Sequence, residues 1–148
     1  MSFVADVKAT SHLQGAFRKG LKAVATIDRE RMTVGSRGAL LGSVNLDAAL
    51  QEPQPDAPRW DYLVGQKNGG TECAHWIEVH PASSTANIGE VEAKLVWLAA
   101  WMRTTPLAAY PRKIVWIASG KSAFNSRHPK IRALAGRGLS FAGSHLTL

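Results

Sequence analysis

Arg59-Trp60-Asp61-Tyr62-Leu63-Val64-Gly65 and Glu72-Cys73-Ala74-His75-Trp76-Ile77-Glu78-Val79 stand on either side of Lys67-Asn68-Gly69-Gly70. Both flanks are rich in β-branched and aromatic residues, and the tetrapeptide between them is a hairpin turn signal. The pattern predicts two adjacent antiparallel strands. On the first, Trp60, Tyr62 and Val64 share one side and Asp61 and Leu63 the other. On the second, parity groups Trp76, Glu78 and His80, and Pro81 ends the strand.

Outward from this hairpin, Gly38 to Leu46 alternates enough for a preceding strand. Asp47 to Gln51 then allows one helical turn, and Glu52 to Pro58, with three prolines, is a loop. Downstream, Glu90 to Arg103 is the clearest helix, with Asn87 as its expected cap and Val91, Leu95, Leu98 and Met102 as its core stripe. Glu90, Lys94, Trp97 and Trp101 repeat at the same spacing on a neighbouring face. Lys113 to Ala118 is an apolar strand of the buried kind. Pro129 to Ala135 predicts a short helix and Leu139 to Phe141 a last short strand.

Upstream, Ser11 resembles an N-cap, and Leu13, Phe17, Leu21 and Val24 fall on one helical stripe. Gly15 and Gly20 weaken that helix by about 1 kcal/mol each relative to Ala. The expected order is helix, three strands, helix, strand, short helix, strand. It describes one α/β domain spanning 1–148, with a mixed four- or five-stranded sheet and a helix on each face.

Of the 148 residues, 45% are hydrophobic and 20% charged, which excludes wholesale disorder. Residues 1–37 carry a balance of +4, residues 38–100 one of −5, and residues 101–148 one of +8 with no carboxylate. An acidic centre between basic arms suits a cation-dependent enzyme on a polyanion, although solvated faces have the same appearance. A single cysteine, Cys73, excludes an intrachain disulfide and fits a reducing compartment. The longest apolar run, Leu95 to Met102, is too short to span a membrane. The opening Met1-Ser2-Phe3-Val4-Ala5-Asp6 lacks the basic and apolar regions of a signal peptide, so a cytoplasmic protein is expected.

Several motifs fail on spacing. Ser119-Gly120-Lys121-Ser122 follows a strand as the end of a P-loop does, but the required upstream glycine is Val115. Cys73, His75, His80, His128 and His145 have no zinc-ligand spacing, and His75 and His80 take opposite faces of one strand. Cys73, near the start of a strand, reads as a small core or surface residue rather than a catalytic thiol.

Asp61 and Glu78 form the strongest constellation, because the hairpin brings their strands together. Two carboxylates about 4 Å apart repel by roughly 4 kcal/mol at an effective dielectric near 20. A divalent cation turns that repulsion into attraction. The alternative is that both point to water.

Asp61, sixteen residues, then Glu78-Val79-His80 on the next strand and a helix after it, resembles the PD-(D/E)xK nuclease superfamily, whose restriction-endonuclease-like core has the element order read above. The similarity covers roughly residues 11–120, leaving 121–148 as a basic C-terminal extension. Asp61 is preferred to Asp56 of the literal Pro55-Asp56, which lies in the proline-rich loop. The resemblance implies Mg²⁺ or Mn²⁺ on Asp61 and Glu78. His80 stands where the family has lysine, and Lys94 on the following helix matches members that carry their lysine there. An ordinary helical pair with Glu90 is the other reading of Lys94. Where many members place an acid on the first helix, the stripe offers only Gln14.

The expected activity is metal-dependent phosphodiester cleavage of DNA or RNA, with Asp61, Glu78, His80 and Lys94 catalytic and Arg18, Lys121 and Arg127 gripping the backbone. The alternative is a catalytically inactive descendant that binds nucleic acid or a protein partner, including a second copy. Trp97 and Trp101, on the Lys94 face, suit packing against a strand or subunit more than stacking on bases.

Overall fold

The computed structural model describes residues 2–35 and 38–148. The elements are α1 (Phe3–Ala9), β1 (Phe17–Arg18), α2 (Thr26–Arg29), β2 (Met32–Thr33), β3 (Ala39–Asn45), α3 (Leu46–Leu50) and β4 (Tyr62–Asn68). They continue with β5 (Thr71–His80), α4 (Ala86–Met102), a 3-10 turn (Pro106–Ala109), β6 (Arg112–Ala118), α5 (Pro129–Ala135), β7 (Leu139–Phe141) and β8 (Leu146–Thr147).

Six strands form one mixed sheet in the order β1-β3-β4-β5-β6-β7, and β2 and β8 make a separate parallel pair. The expected last strand forms as β7, and the sheet exceeds the four or five strands expected because the two-residue β1, in the segment read as a helix, adds a further edge. β1, β3, β4 and β5 pair antiparallel, while β5, β6 and β7 run parallel, with α4 as the crossover between β5 and β6.

The hairpin forms as the sequence predicts. Asn68 and Thr71 close it around Gly69 (φ 56°) and Gly70 (φ 93°), a two-residue turn that needs positive φ at both positions. The register pairs Leu63 with Trp76 and Tyr62 with Ile77. The first strand starts at Tyr62 rather than Arg59. Trp60, before it, packs into the same core as Leu63 and Trp76, so its expected alternation with Tyr62 fails.

That core lies on one face of the sheet and takes the buried residues of α1, α3, α4 and α5. α4 contributes Ile88, Val91, Leu95, Leu98, Trp101 and Met102. Burying each large side chain is worth about 1.5–3 kcal/mol, which outweighs the roughly 1 kcal/mol cost of Gly89 in its first turn. The helix starts a turn earlier than expected. Asn87 lies inside it, accepting the Ser84 N–H while donating to Glu90.

The opposite face holds Tyr62, Val64, Ile77, Val115 and Ile117. Among the described residues, no long helix covers it. Its cover is Leu21, Val24 and Met32 together with Ala142, Leu146 and Leu148, which corrects the expectation of a helix on each face.

The expected helix from Ser11 is absent among the described residues. Its place is taken by turns and β1, and the first helix is α1, capped by Ser2 Oγ on the Ala5 N–H. Leu13 and Phe17 pack on the helical face of the sheet, whereas Leu21 and Val24 pack on the other. Helical spacing was thus produced by a segment that wraps the sheet edge. Gly20 at φ 56° and His12 at φ 70° are incompatible with a continuous helix there.

Among the described residues, no helix is long and apolar enough to cross a membrane.

Candidate active site

β4 and β5 are paired as far as Tyr62 and Ile77, and then the ladder ends. Side chains take over its hydrogen bonds. The Asp61 N–H donates to Glu78 Oε1 at 3.1 Å, and the Val79 N–H donates to Asp61 Oδ2 at 2.9 Å. Each carboxylate is therefore fixed by a main-chain donor of the other's strand, on the sheet face that α4 covers.

α4 crosses above this end. Val91, Leu95 and Leu98 are buried beneath it, and the flanking face presents Glu90 and Lys94 to the strands. The Lys94 ammonium bonds Glu78 Oε2 and lies 3.6 Å from Asp61 Oδ1. His80, two residues along β5 from Glu78, places Nδ1 3.3 Å from Glu78 Oε2 and Nε2 3.1 Å from Glu90 Oε1. Asn87 Nδ2 donates to the same Glu90 oxygen at 2.6 Å.

Glu78 is fully buried. A buried carboxylate is tolerated only with several partners, and it has three: the Asp61 N–H, the Lys94 ammonium and the His80 ring. Asp61 is less compensated. Burial, then repulsion from Glu78, pushes its pKa up to about 7, against the pull of Lys94 and the Val79 N–H. The hydrogen bond to Glu78 raises the His80 pKa, opposed by burial and reinforced by Glu90. Glu90 is held below the usual carboxylate range by Asn87 first and His80 second. Groups tuned away from their ordinary values in one cluster are a mark of functional sites, and structural ion networks share it.

The structure thus brings together Asp61, Glu78, His80 and Lys94. It also decides between the two readings of Lys94, whose ammonium reaches the strand carboxylates while Glu90 is taken by His80 and Asn87. The other three expected residues lie apart from this cluster. Arg18 sits on β1, separated from β5 by two strands, with its guanidinium on the Gly15 and Phe17 carbonyls. Lys121 and Arg127 are exposed on the loop after β6 and make no ion pair among the described residues. That loop is tied to the end of β5 by the Ser119 N–H on the His80 carbonyl, 3.1 Å, and the Ala123 N–H on the Ala82 carbonyl, 2.8 Å.

Glu90 was missed as the partner of His80. Arg31 was missed altogether: its guanidinium bonds the carbonyls of Ala118, 3.4 Å, and Ser119, 2.8 Å, at the carboxyl end of β6. The polar stretch from Thr26 reads in sequence as either an extension of the helix or a loop, and the β2–β8 pairing carries Arg31 there. The acid on the true first helix, Asp6, accepts from Tyr110. On the same helix the Phe3 N–H bonds Glu72, near the opposite end of β5 from Glu78.

Asp61 Oδ2 and Glu78 Oε1 are committed to main-chain donors, while Asp61 Oδ1 and Glu78 Oε2 both face the Lys94 ammonium. One oxygen of each carboxylate is thus turned toward a positive charge. Mg²⁺ is commonly held by one or two carboxylates, with water and phosphate oxygens completing the shell, and this donor set fits that minimum. A protein-only cage is not built, since no group of three or more His, Cys, Asp or Glu is arranged to hold a metal ion among the described residues.

A cavity of about 730 Å³ lies further along α4, lined by Trp97, Trp101, Gln54 and Thr105 among others, and contains none of these ionisable groups. The two tryptophans stack on each other, 5.7 Å between centroids and 10° between planes, and Trp97 Nε1 donates to Gln54 at 2.9 Å. They pack, as the sequence favoured. No protein-family model, no curated protein and no solved structure matches the chain, so the functional reading rests on the geometry of Asp61, Glu78, His80 and Lys94.

Proposed function

We propose that the chain is a metal-dependent phosphodiesterase acting on DNA or RNA, built on a restriction-endonuclease-like core. The observation that carries this reading is the meeting of one lysine from α4 with two carboxylates from β4 and β5. The order α1, β3, β4, β5, α4, β6 supports it, with β1, α2 and β2 inserted after the first helix and α3 within the sheet meander.

Asp61 and Glu78 would hold Mg²⁺ or Mn²⁺, which when bound acidifies a water and neutralises charge on the scissile phosphate. Lys94 orients the attacking water from the helix side and keeps a positive charge against the phosphate. His80, both of whose ring nitrogens face carboxylate oxygens of Glu78 and Glu90, would help position that water or contact the phosphate. Lys121 and Arg127 lie on the loop anchored beside His80, where a phosphate backbone leaving the site meets them. Arg18, three sheet positions from β5, is left with a role outside the reacting centre.

A second reading follows from the same cluster. Lys94 already occupies the space between both carboxylates, so the group also serves as an ion network in a domain that binds nucleic acid or protein without cleaving it. Incubating labelled single- and double-stranded DNA and RNA with the protein in low salt and Mn²⁺ separates the two. Cleavage by wild type and none by a folded Glu78→Gln variant supports the phosphodiesterase. A shifted, uncut band in both supports the binding domain, and equal cutting by both overturns the assignment of Glu78.

A further inference from the structure

On the sheet face away from α4, His75 stands beside Lys113 in the β5–β6 register and beside Val64 in the β4–β5 register. It opens onto a cavity of about 410 Å³ lined by Gln66, Asn68, Lys113, Val115 and the chain at 146–148. His75 is only 4% exposed, and its Nε2 has no hydrogen-bond partner among the described residues. Gln66, 3% exposed, and the exposed Asn68 present their amides to the same cavity. Lys113 has no carboxylate partner there either, and no Asp or Glu lines the cavity.

Buried polar groups in folded proteins are paired, and the exceptions call for an explanation. His75 Nε2 is such an exception, and the cavity it opens onto is also lined by the amides of Gln66 and Asn68 and by Lys113. Val115, Leu146, Thr147 and Leu148 complete the wall, and the Leu148 carbonyl accepts from the Gly35 N–H at 2.8 Å. The volume is within the range of roughly 300–1,000 Å³ typical of small-molecule sites. We propose that this cavity binds the oxyanion of a small molecule, a carboxylate or a phosphate, held by Lys113, His75 Nε2 and the amides of Gln66 and Asn68. Burial and Lys113 push the His75 pKa down to about 4, so at neutral pH the ring is uncharged and offers a single N–H, with Lys113 supplying the charge.

The site is independent of the proposed phosphodiesterase, because Glu78 and His80 project from the other face of the same strand. It is tested by nitrogen-15 NMR of the full chain at constant ionic strength, titrated separately with sodium propionate and inorganic phosphate. A saturable shift of the His75 ring and neighbouring amides is expected with at least one of them. Saturation with propionate alone identifies a carboxylate ligand, and with phosphate alone a phosphate. Lys113 is exposed, so Lys113→Met leaves the fold intact and is expected to weaken that binding by about tenfold or more. No saturable shift at millimolar probe, or the same affinity in Lys113→Met, overturns the proposal.

Discussion

Asp61 and Glu78 lock each other through their main chains: the Asp61 N–H lies on Glu78 Oε1, and the N–H following Glu78 lies on Asp61 Oδ2. The strand ladder ends at this point, so the donors would otherwise be unpaired near the sheet end. The exchange fixes both carboxylates without using their other oxygens, and those oxygens converge on Lys94. Two like charges are thereby held together by backbone geometry, with one ammonium to offset them. Such an arrangement stores unfavourable electrostatics at a defined place in the fold.

Lys94 is therefore the first residue to remove. In Lys94→Met the fully buried Glu78 loses its permanent counter-charge, and breaking a buried pair in this way costs about 3–5 kcal/mol. Thermal melts at pH 8 are expected to show a large drop in Tm. If the carboxylates accept a divalent cation, Mn²⁺ or Mg²⁺ restores part of that loss, and does so more than in wild type, because a ligand that binds only the folded state stabilises it. A variant whose Tm ignores both ions would leave the phosphodiesterase reading without its metal.

Asp61→Asn should move stability the other way. The folded state keeps the Asp61 proton up to about pH 7, whereas an unfolded aspartate releases it near 3.8. Between those values the folded chain binds more protons, so this residue costs stability as pH rises through the window. Asparagine keeps an acceptor for the Val79 N–H and carries no charge. The variant is expected to exceed wild type by about 1–2 kcal/mol at pH 8. That is below the roughly 4 kcal/mol of the whole shift, because Lys94 loses one of its two partners. At pH 4 the gap closes. Urea titrations at the two pH values measure it, and a variant no more stable than wild type at pH 8 contradicts the raised pKa.

How the site was legible in sequence follows from which signals are local. Strand alternation, the Asn-Gly-Gly turn and the α4 stripe each depend on neighbours in the chain, and they were enough to place Asp61 and Glu78 on adjacent strands. Helix spacing then put Lys94 on the face that meets them. The partner of His80 was not legible, because Glu90 and Lys94 satisfy the i,i+4 rule with each other as well as they satisfy the strands. Arg31 was out of reach for another reason, since its position depends on β2 joining β8 more than a hundred residues later. The N-terminal helix was misplaced because Leu13, Phe17, Leu21 and Val24 keep a helical spacing while serving two different cores.

Gly65 tests how tightly the helical face is packed. A Cβ there would lie 2.2 Å from the ring of Phe3, which is fully buried, edge-on to Tyr110, and pinned by its N–H on Glu72 at 2.8 Å. The ring has nowhere to retreat. Gly65→Ala is expected to cost about 1–3 kcal/mol of stability, seen as a lower urea midpoint at unchanged slope. Adding Phe3→Leu should recover part of that cost, since the two positions share one space. Strictly additive losses would show that the clash is relieved elsewhere.

His75 supplies the opposing pH dependence. Its folded pKa is pushed down to about 4, by burial first and Lys113 second, from an ordinary 6.5. The unfolded chain therefore binds the extra proton between those values. Stability from this residue is complete above about pH 6.5 and is lost as pH falls toward 4, by at most about 3 kcal/mol. Asp61 acts in nearly the same window with the reverse sign, so the wild-type profile is a small difference between two larger slopes. Single variants separate them. His75→Gln is expected to grow more stable on acidification from pH 7 to 4 relative to wild type, and Asp61→Asn to grow less stable. Chemical denaturation of the three proteins at half-unit pH steps reads both slopes, and parallel curves for His75→Gln and wild type would show that the ring is not held neutral by the fold.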